Sequence, residues 1–126
     1  MTIGDIDFII TPTQEAFDIE ILEINAVYTH MLGHDCHSIV AGICHAGAII
    51  VQFKEYVKKV CDLILTSHYT PEDLKDAETK IACIESLKDI PADCNNADEF
   101  KQKVNDCYSG YSSGNYLNMT AGYFIN

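Results

Sequence analysis

Residues 36–65, CHSIVAGICHAGAIIVQFKEYVKKVCDLIL, carry the longest regular pattern in the chain. Ile39, Ile43, Ala46, Ile50, Phe53, Val57, Val60 and Ile64 follow one another at steps of 4, 3, 4, 3, 4, 3 and 4. That is the spacing of one face of an α-helix. The row predicts a single long helix starting at His34 or Asp35 and running through Ile64. Gly42 and Gly47 fall inside it, each costing about 1 kcal/mol against alanine. They read as points where a neighbouring backbone comes close.

On the N-terminal side, residues 1–10 alternate loosely and read as an extended lead-in. Thr11, Pro12 and Gln14 form a capping-box pattern at N-cap, N1 and N3. Behind it Phe17, Ile21, Ile24, Tyr28 and Met31 recur at helical spacing, and Gly33 is a natural stop. On the C-terminal side, Thr70, Pro71 and Asp73 read as the start of a third helix, with Leu74, Ala77, Ile81, Ile84 and Leu87 facing inward and Pro91 past its end. Asn96 and Glu99 cap a shorter fourth helix, with Phe100 and Val104 inward and an end near Gly110. Residues 111–126, rich in Tyr, Ser and Gly, lose periodicity and read as an irregular tail. The expectation is one all-α domain over residues 1–126, with four to five helices and one long central helix.

The 19 acidic and 8 basic residues give a net charge of −11. A surface of that sign repels phosphate backbones and anionic lipid, so nucleic-acid and membrane partners are excluded. No apolar run reaches the ~18 residues of a membrane span. Met1 is followed by no basic, then apolar, leader, and reads as a start placed on a mature secreted chain. Asn118-Met119-Thr120 is a formal glycosylation triplet.

Cys36, Cys44, Cys61, Cys83, Cys94 and Cys107 make an even count with no C-x-x-C pair. In an acidic chain of this size that predicts three disulfides and an extracellular location. A straight helix over 36–61 would hold its own cysteines ~12 to ~37 Å apart, whereas a bridge needs Cα atoms about 4.4–6.8 Å apart. Each must then join one of the later three. Six pairings remain, and the nested set Cys36–Cys107, Cys44–Cys94, Cys61–Cys83 suits an antiparallel return.

His30, His34, His37 and His45, with Asp35, crowd one stretch. Gly33 separates the first pair, and His37 and His45 would lie ~12 Å apart on a helix, too far to share an ion. Neighbours such as Cys44-His45 diverge by about 100° and cannot act as a nucleophile–base pair. No catalytic, cofactor or metal residue is assigned, and no enzyme is expected. Tyr108, Tyr111, Tyr116 and Tyr123, among Ser, Gly and Asn, have the make-up of a protein-binding surface.

The cysteine-bearing amphipathic segments VKKVCDLIL (57–65) and EFKQKVNDCYSG (99–110) give the chain a resemblance to the anophensin/albicin group of mosquito salivary proteins. That resemblance implies a helical fold and inhibition of host complement or contact activation through binding of an extracellular plasma protein. In length, charge and cysteine number the chain is also similar to insect odorant-binding proteins, which implies a carrier of a small hydrophobic or cationic ligand. Sixteen residues between Cys44 and Cys61 depart from the three that mark that family.

Overall fold

In the computed structural model, which describes residues 1–30 and 32–125, the first third of the chain is β-structure. Strands β1 (Thr2–Ile3), β2 (Ile6–Pro12), β3 (Phe17–Ile21) and β4 (Ala26–Thr29) form an antiparallel meander, and β5 (Leu63–Thr66) adds parallel to β4. Between β4 and β5 runs helix α1 (Gly42–Lys59), followed after β5 by α2 (Leu74–Asp89), α3 (Ala97–Cys107) and α4 (Gly114–Phe124). The fold is therefore α/β, not all-α. The correction begins at the first expected helix. Phe17, Asp18, Ile19, Glu20 and Ile21 alternate with period two, and that alternation prevails over the four-three spacing that Phe17 and Ile21 also satisfy. Met31, the last of that row, lies outside the described residues, as does Asn126.

The long central helix is also corrected. α1 is 18 residues long and stops where Val60 turns left-handed at φ 55°. Cys61 is then buried, and Leu63–Thr66 is a strand. Ile64 is fully buried, as a core position should be, but by Val27 of β4 on one edge and a bridge to Glu72 on the other. Inside α1 the buried face is Ala46, Ile49, Ile50, Phe53 and Tyr56, while Ile43 points to solvent.

The later half follows the pattern more closely. α2 buries Ala77, Ile81, Ile84 and Leu87 as expected, and Lys80 with them. Its cap is Asp73 rather than Thr70. Asp73 Oδ1 accepts from the Asp76 N–H and Asp76 Oδ2 from the Asp73 N–H, both at 3.0 Å. In α3 Asn96 Oδ1 accepts from the Glu99 N–H at 2.9 Å, and Phe100 and Val104 are fully buried. The tail is not irregular. Leu117 and Ala121 are buried on α4, and Phe124 stacks on Phe100 with ring centroids 5.7 Å apart. Thr120 of the glycosylation triplet is buried as well.

All six cysteines are free. The pairing argument depended on an unbroken helix from Cys36 to Cys61. With Cys36 in a loop, Cys44 at the start of α1 and Cys61 beyond its end, the three no longer share an axis. None of the nested bridges forms, and the cysteine argument for an oxidising compartment goes with them. Unreduced protein in denaturant should therefore titrate six thiols with a chromogenic disulfide. In the native state the exposed Cys44 and Cys107 should react first. Burial pushes the Cys61 and Cys83 thiols up and keeps them as slow, protonated sulfur. A stable pair in the intact protein would contradict this arrangement.

Candidate functional site

Because β4 and β5 are parallel, both point their C-terminal ends the same way. Thr29 pairs with Thr66, so the next residues, His30 on one strand and Ser67-His68 on the other, emerge side by side. His30 Nδ1 is 2.9 Å from Ser67 Oγ, and the His30 and His68 rings meet edge-on at 5.0 Å. In open α/β sheets the crevice beyond the carboxyl ends of parallel strands is the usual ligand position.

A loop, residues 33–41, arches over these ends. It is tied down by main-chain bonds between His37 N–H and Ser112 O, and between Ser112 N–H and Asp35 O, each 3.0 Å. The buried Thr120 hydroxyl of α4 adds two more, accepting from Val40 N–H and donating to Ser38 O, both at 2.9 Å. Gly33 has a steric reason. A Cβ there would lie 2.6–2.7 Å from the Cys36 sulfur and the Tyr69 ring. The loop, the strand ends, the β2–β3 turn and α4 enclose a cleft of about 640 Å³. Its walls include four imidazoles (His30, His37, His45, His68) and three phenols (Tyr69, Tyr116, Tyr123). Among the described residues no lysine or arginine lines it, and Glu15 is its one acid.

The imidazoles are held in different ways. His45 Nδ1 accepts from the Ala41 N–H at 2.8 Å, which leaves the proton on Nε2, facing the Glu15 carboxylate. His37 packs against the Tyr111 ring at 5.5 Å, and burial, with the Lys80 charge nearby, keeps its pKa below the ordinary histidine value. The Cys36 thiol donates to Gly33 O at 3.2 Å.

The fold thus brings together His30, His37 and His45, which sequence spacing had kept apart. His34 is directed elsewhere. Its Nδ1 lies 2.8 Å from Glu72 Oε1 and 3.4 Å from Asp76 Oδ1. Among the described residues these three could hold a divalent ion. The edge of a tetrahedron with ~2.1 Å bonds is about 3.4 Å, so Asp76 matches and Glu72 lies inside it. As they stand, His34 and Glu72 are joined by a hydrogen bond, and that bond raises the His34 pKa. Asp35 contributes only its backbone. Tyr116 and Tyr123 form cleft wall, whereas the Tyr108 and Tyr111 rings meet at a tilt with centroids 5.2 Å apart, and the Tyr108 hydroxyl donates to Ser86 Oγ at 2.9 Å. His68, Tyr69 and Glu15 were missed. The signal for His68 was a repeat: an apolar run ending in Tyr28-Thr29-His30, and another ending in Thr66-Ser67-His68.

Behind the loop Lys80 is 1% exposed, its Nζ donating to Cys36 O at 2.5 Å. No protein-family model matches the sequence, no characterised protein resembles it significantly, and no solved structure shares its fold significantly.

Burial pushes the Lys80 pKa below its ordinary 10.5. The folded state then binds fewer protons there than the unfolded state, so this residue makes stability rise with pH between its folded value and 10.5. Below that window the buried ammonium is a net cost. Lys80→Met should range from neutral to about 2 kcal/mol more stable at pH 7. It should also lose part of the alkaline rise, both read from urea midpoints. A clear destabilisation at pH 7 would mean that the bond to Cys36 outweighs the desolvation.

Proposed function

We propose that this chain is a non-enzymatic small-molecule binder whose ligand sits in the cleft at the ends of β4 and β5. The observation that carries this reading is the convergence of four imidazoles and three phenols on one cavity of about 640 Å³. Ligand cavities typically fall in the ~300–1,000 Å³ range. The walls are flat rings with hydrogen-bonding edges. The single acid, the absence of lining cations and the −11 net charge all favour a positive or neutral guest over an anion. A flat aromatic amine meets each condition: it stacks, donates to imidazole nitrogen and phenol oxygen, and gains cation–π attraction from the tyrosines.

The inhibitor reading drew on a disulfide scaffold and an all-helical frame, and both are absent. Two of the four tyrosines behind it are cleft wall. The carrier reading no longer rests on cysteine number either, and is supported here by the cleft alone. Chemistry on a bound ligand is not part of the proposal. His45 Nδ1 is taken by the Ala41 N–H, and the Cys36 thiol is turned to a carbonyl rather than to a base.

The test is thermal-shift and saturation-transfer NMR against a panel of aromatic amines, with matched carboxylic acids as the opposing set. Amines should stabilise the protein and acids should not. His68→Ala and Tyr116→Ala each touch exposed cleft wall, and should weaken a hit about tenfold with the unliganded unfolding temperature unchanged. Equal response to both sets, or binding indifferent to both substitutions, would remove the proposal.

A further inference from the structure

Strand register divides the sheet into two faces of opposite character. Paired residues share a face, and alternate residues along a strand share it too. On the helix side lie Asp18, Glu20, Val27, Thr29 and Ile64, since Glu20 pairs with Val27 and Val27 with Ile64. This side meets α1: Gln52 and Tyr56 bond to Asp18 and Thr29, and Lys59 to Glu20. The other side is read the same way. Ile3 pairs with Ile6, Phe8 with Ile21, Ile10 with Ile19, Ile19 with Tyr28, Tyr28 with Leu65, and Ala26 with Leu63. Every one of these is apolar or aromatic, and Pro12 and Phe17 complete the set.

Among the described residues no helix side chain is bonded to that side. Ile3 is 60% exposed, Ile10 50% and Phe17 46%; Phe8, Ile19, Ile21, Tyr28, Leu63 and Leu65 are half-buried, and Ala26 alone of the face is buried, at 3%. Its single hydroxyl, on Tyr28, already meets Ser67 Oγ at 2.5 Å. The 22 residues of the five strands, each taking ~4.8 Å by ~3.3 Å, cover roughly 350 Å² in flat projection. Before side-chain relief is counted this is already the size of the largest patch a monomer usually leaves bare, about 300–600 Å². With the exposed Leu22 and Ile24 at its rim, it can form the apolar centre of an interface of the common size, about 800 Å² per partner.

We propose that this face packs against the same face of a second copy of the chain, sheet on sheet about a two-fold axis. This goes beyond the ligand-binding reading and rests on none of it. Three observations select the occupant. First, the edges are blunted against strand addition. Met1 and Phe8 exchange two 2.7 Å main-chain bonds at the β2 edge, Pro12 has no N–H to offer, and Glu72 bridges to Ile64 at the β5 edge. The face offers a partner far more surface than these edges do. Second, the face carries no charge, whereas the chain carries −11. A partner held by charge would be basic and would seek the acids, none of which is among the paired residues of this face. An uncharged apolar plane is complementary to another like it. Third, a two-fold contact needs one self-complementary patch, and this plane is such a patch.

Sedimentation equilibrium on the whole chain, at concentrations up to those used for NMR, tests the proposal. The expected result is a monomer–dimer equilibrium that tightens with added salt, because salt screens the repulsion between two copies of charge −11. Ile10→Lys and Phe17→Lys should each weaken the dimer at least about tenfold. Both lower the net negative charge, so the loss cannot come from added repulsion. Both sites are half exposed in the monomer, so helical circular dichroism should be unchanged. Val51→Lys, at an exposed apolar site on α1, should leave the dimer intact. A monomer throughout the range, a dimer loosened by salt, or a dimer indifferent to Ile10→Lys and Phe17→Lys would each overturn the assignment.

Discussion

Strands 26–29 and 63–66 lie parallel and adjacent, so the chain between them must travel the length of the sheet and return to its starting end. α1 makes that journey, and a latch at the far end fixes where it stops. Asn25 and Val60 both sit in left-handed backbone conformation. Asn25 Nδ2 donates to Val60 O at 2.8 Å and to Asp62 Oδ2 at 3.1 Å, while the Asp62 N–H donates to Asn25 O at 2.9 Å. Asparagine tolerates that conformation, but valine is a poor choice for it, at a cost of roughly 1–2 kcal/mol. The latch and the β4–β5 ladder together hold the strained turn. Because both strands start at the latch, both end at the cleft, and His30 and His68 meet there.

The same crossover explains why polar groups lie inside. α1 faces β3 with Gln52 and Tyr56 rather than aliphatic side chains, and Asp18 is buried beneath them. An unsatisfied carboxylate in that position would be costly. Here Gln52 Nε2 donates to both Asp18 oxygens at 3.0 and 3.1 Å, and the Tyr56 hydroxyl donates to the same carboxylate, so the network is closed. Burial and the Asp18 charge drive the Tyr56 pKa far above its ordinary value, which keeps that hydroxyl a donor at any physiological pH. Alternation then forces the complement. With Asp18 and Glu20 turned in, Phe17, Ile19 and Ile21 must turn out. The apolar outer face is thus a geometric consequence of the buried polar network.

The sequence reported these features unevenly. α2 and α3 were legible because caps and apolar rows agree there: Asn96 with Glu99, then Phe100 and Val104. α4 was hidden by composition, since glycines and serines around Leu117, Ala121 and Phe124 mask a proper four-three row. The β half was misread for a subtler reason. Phe17 and Ile21 fit a helical four-residue step and a strand's alternation equally, and which period holds is decided by pairing with residues farther along the chain. Ile64 continued the α1 row by coincidence of spacing, and the backbone reversal at Val60 has no glycine to announce it. Of the four cleft histidines, His30, His37 and His45 stand together in the sequence, but on a continuous helix His37 and His45 would be held apart, and His68 comes from a separate segment. Their convergence depends on a loop that Thr120 holds from more than 75 residues away.

Cleft and outer face share one atom. The Ser67 hydroxyl lies 2.5 Å from the Tyr28 hydroxyl, on the outer face, and 2.9 Å from His30 Nδ1, in the cleft. A hydroxyl has one proton to give, so the two contacts are not independent. If Ser67 donates to His30, Tyr28 must donate to Ser67, and the His30 proton then sits on Nε2. If Ser67 donates to Tyr28, His30 must present a proton on Nδ1 instead. Whatever covers Tyr28 therefore bears on which His30 tautomer the cleft offers, through a single serine at the end of β5.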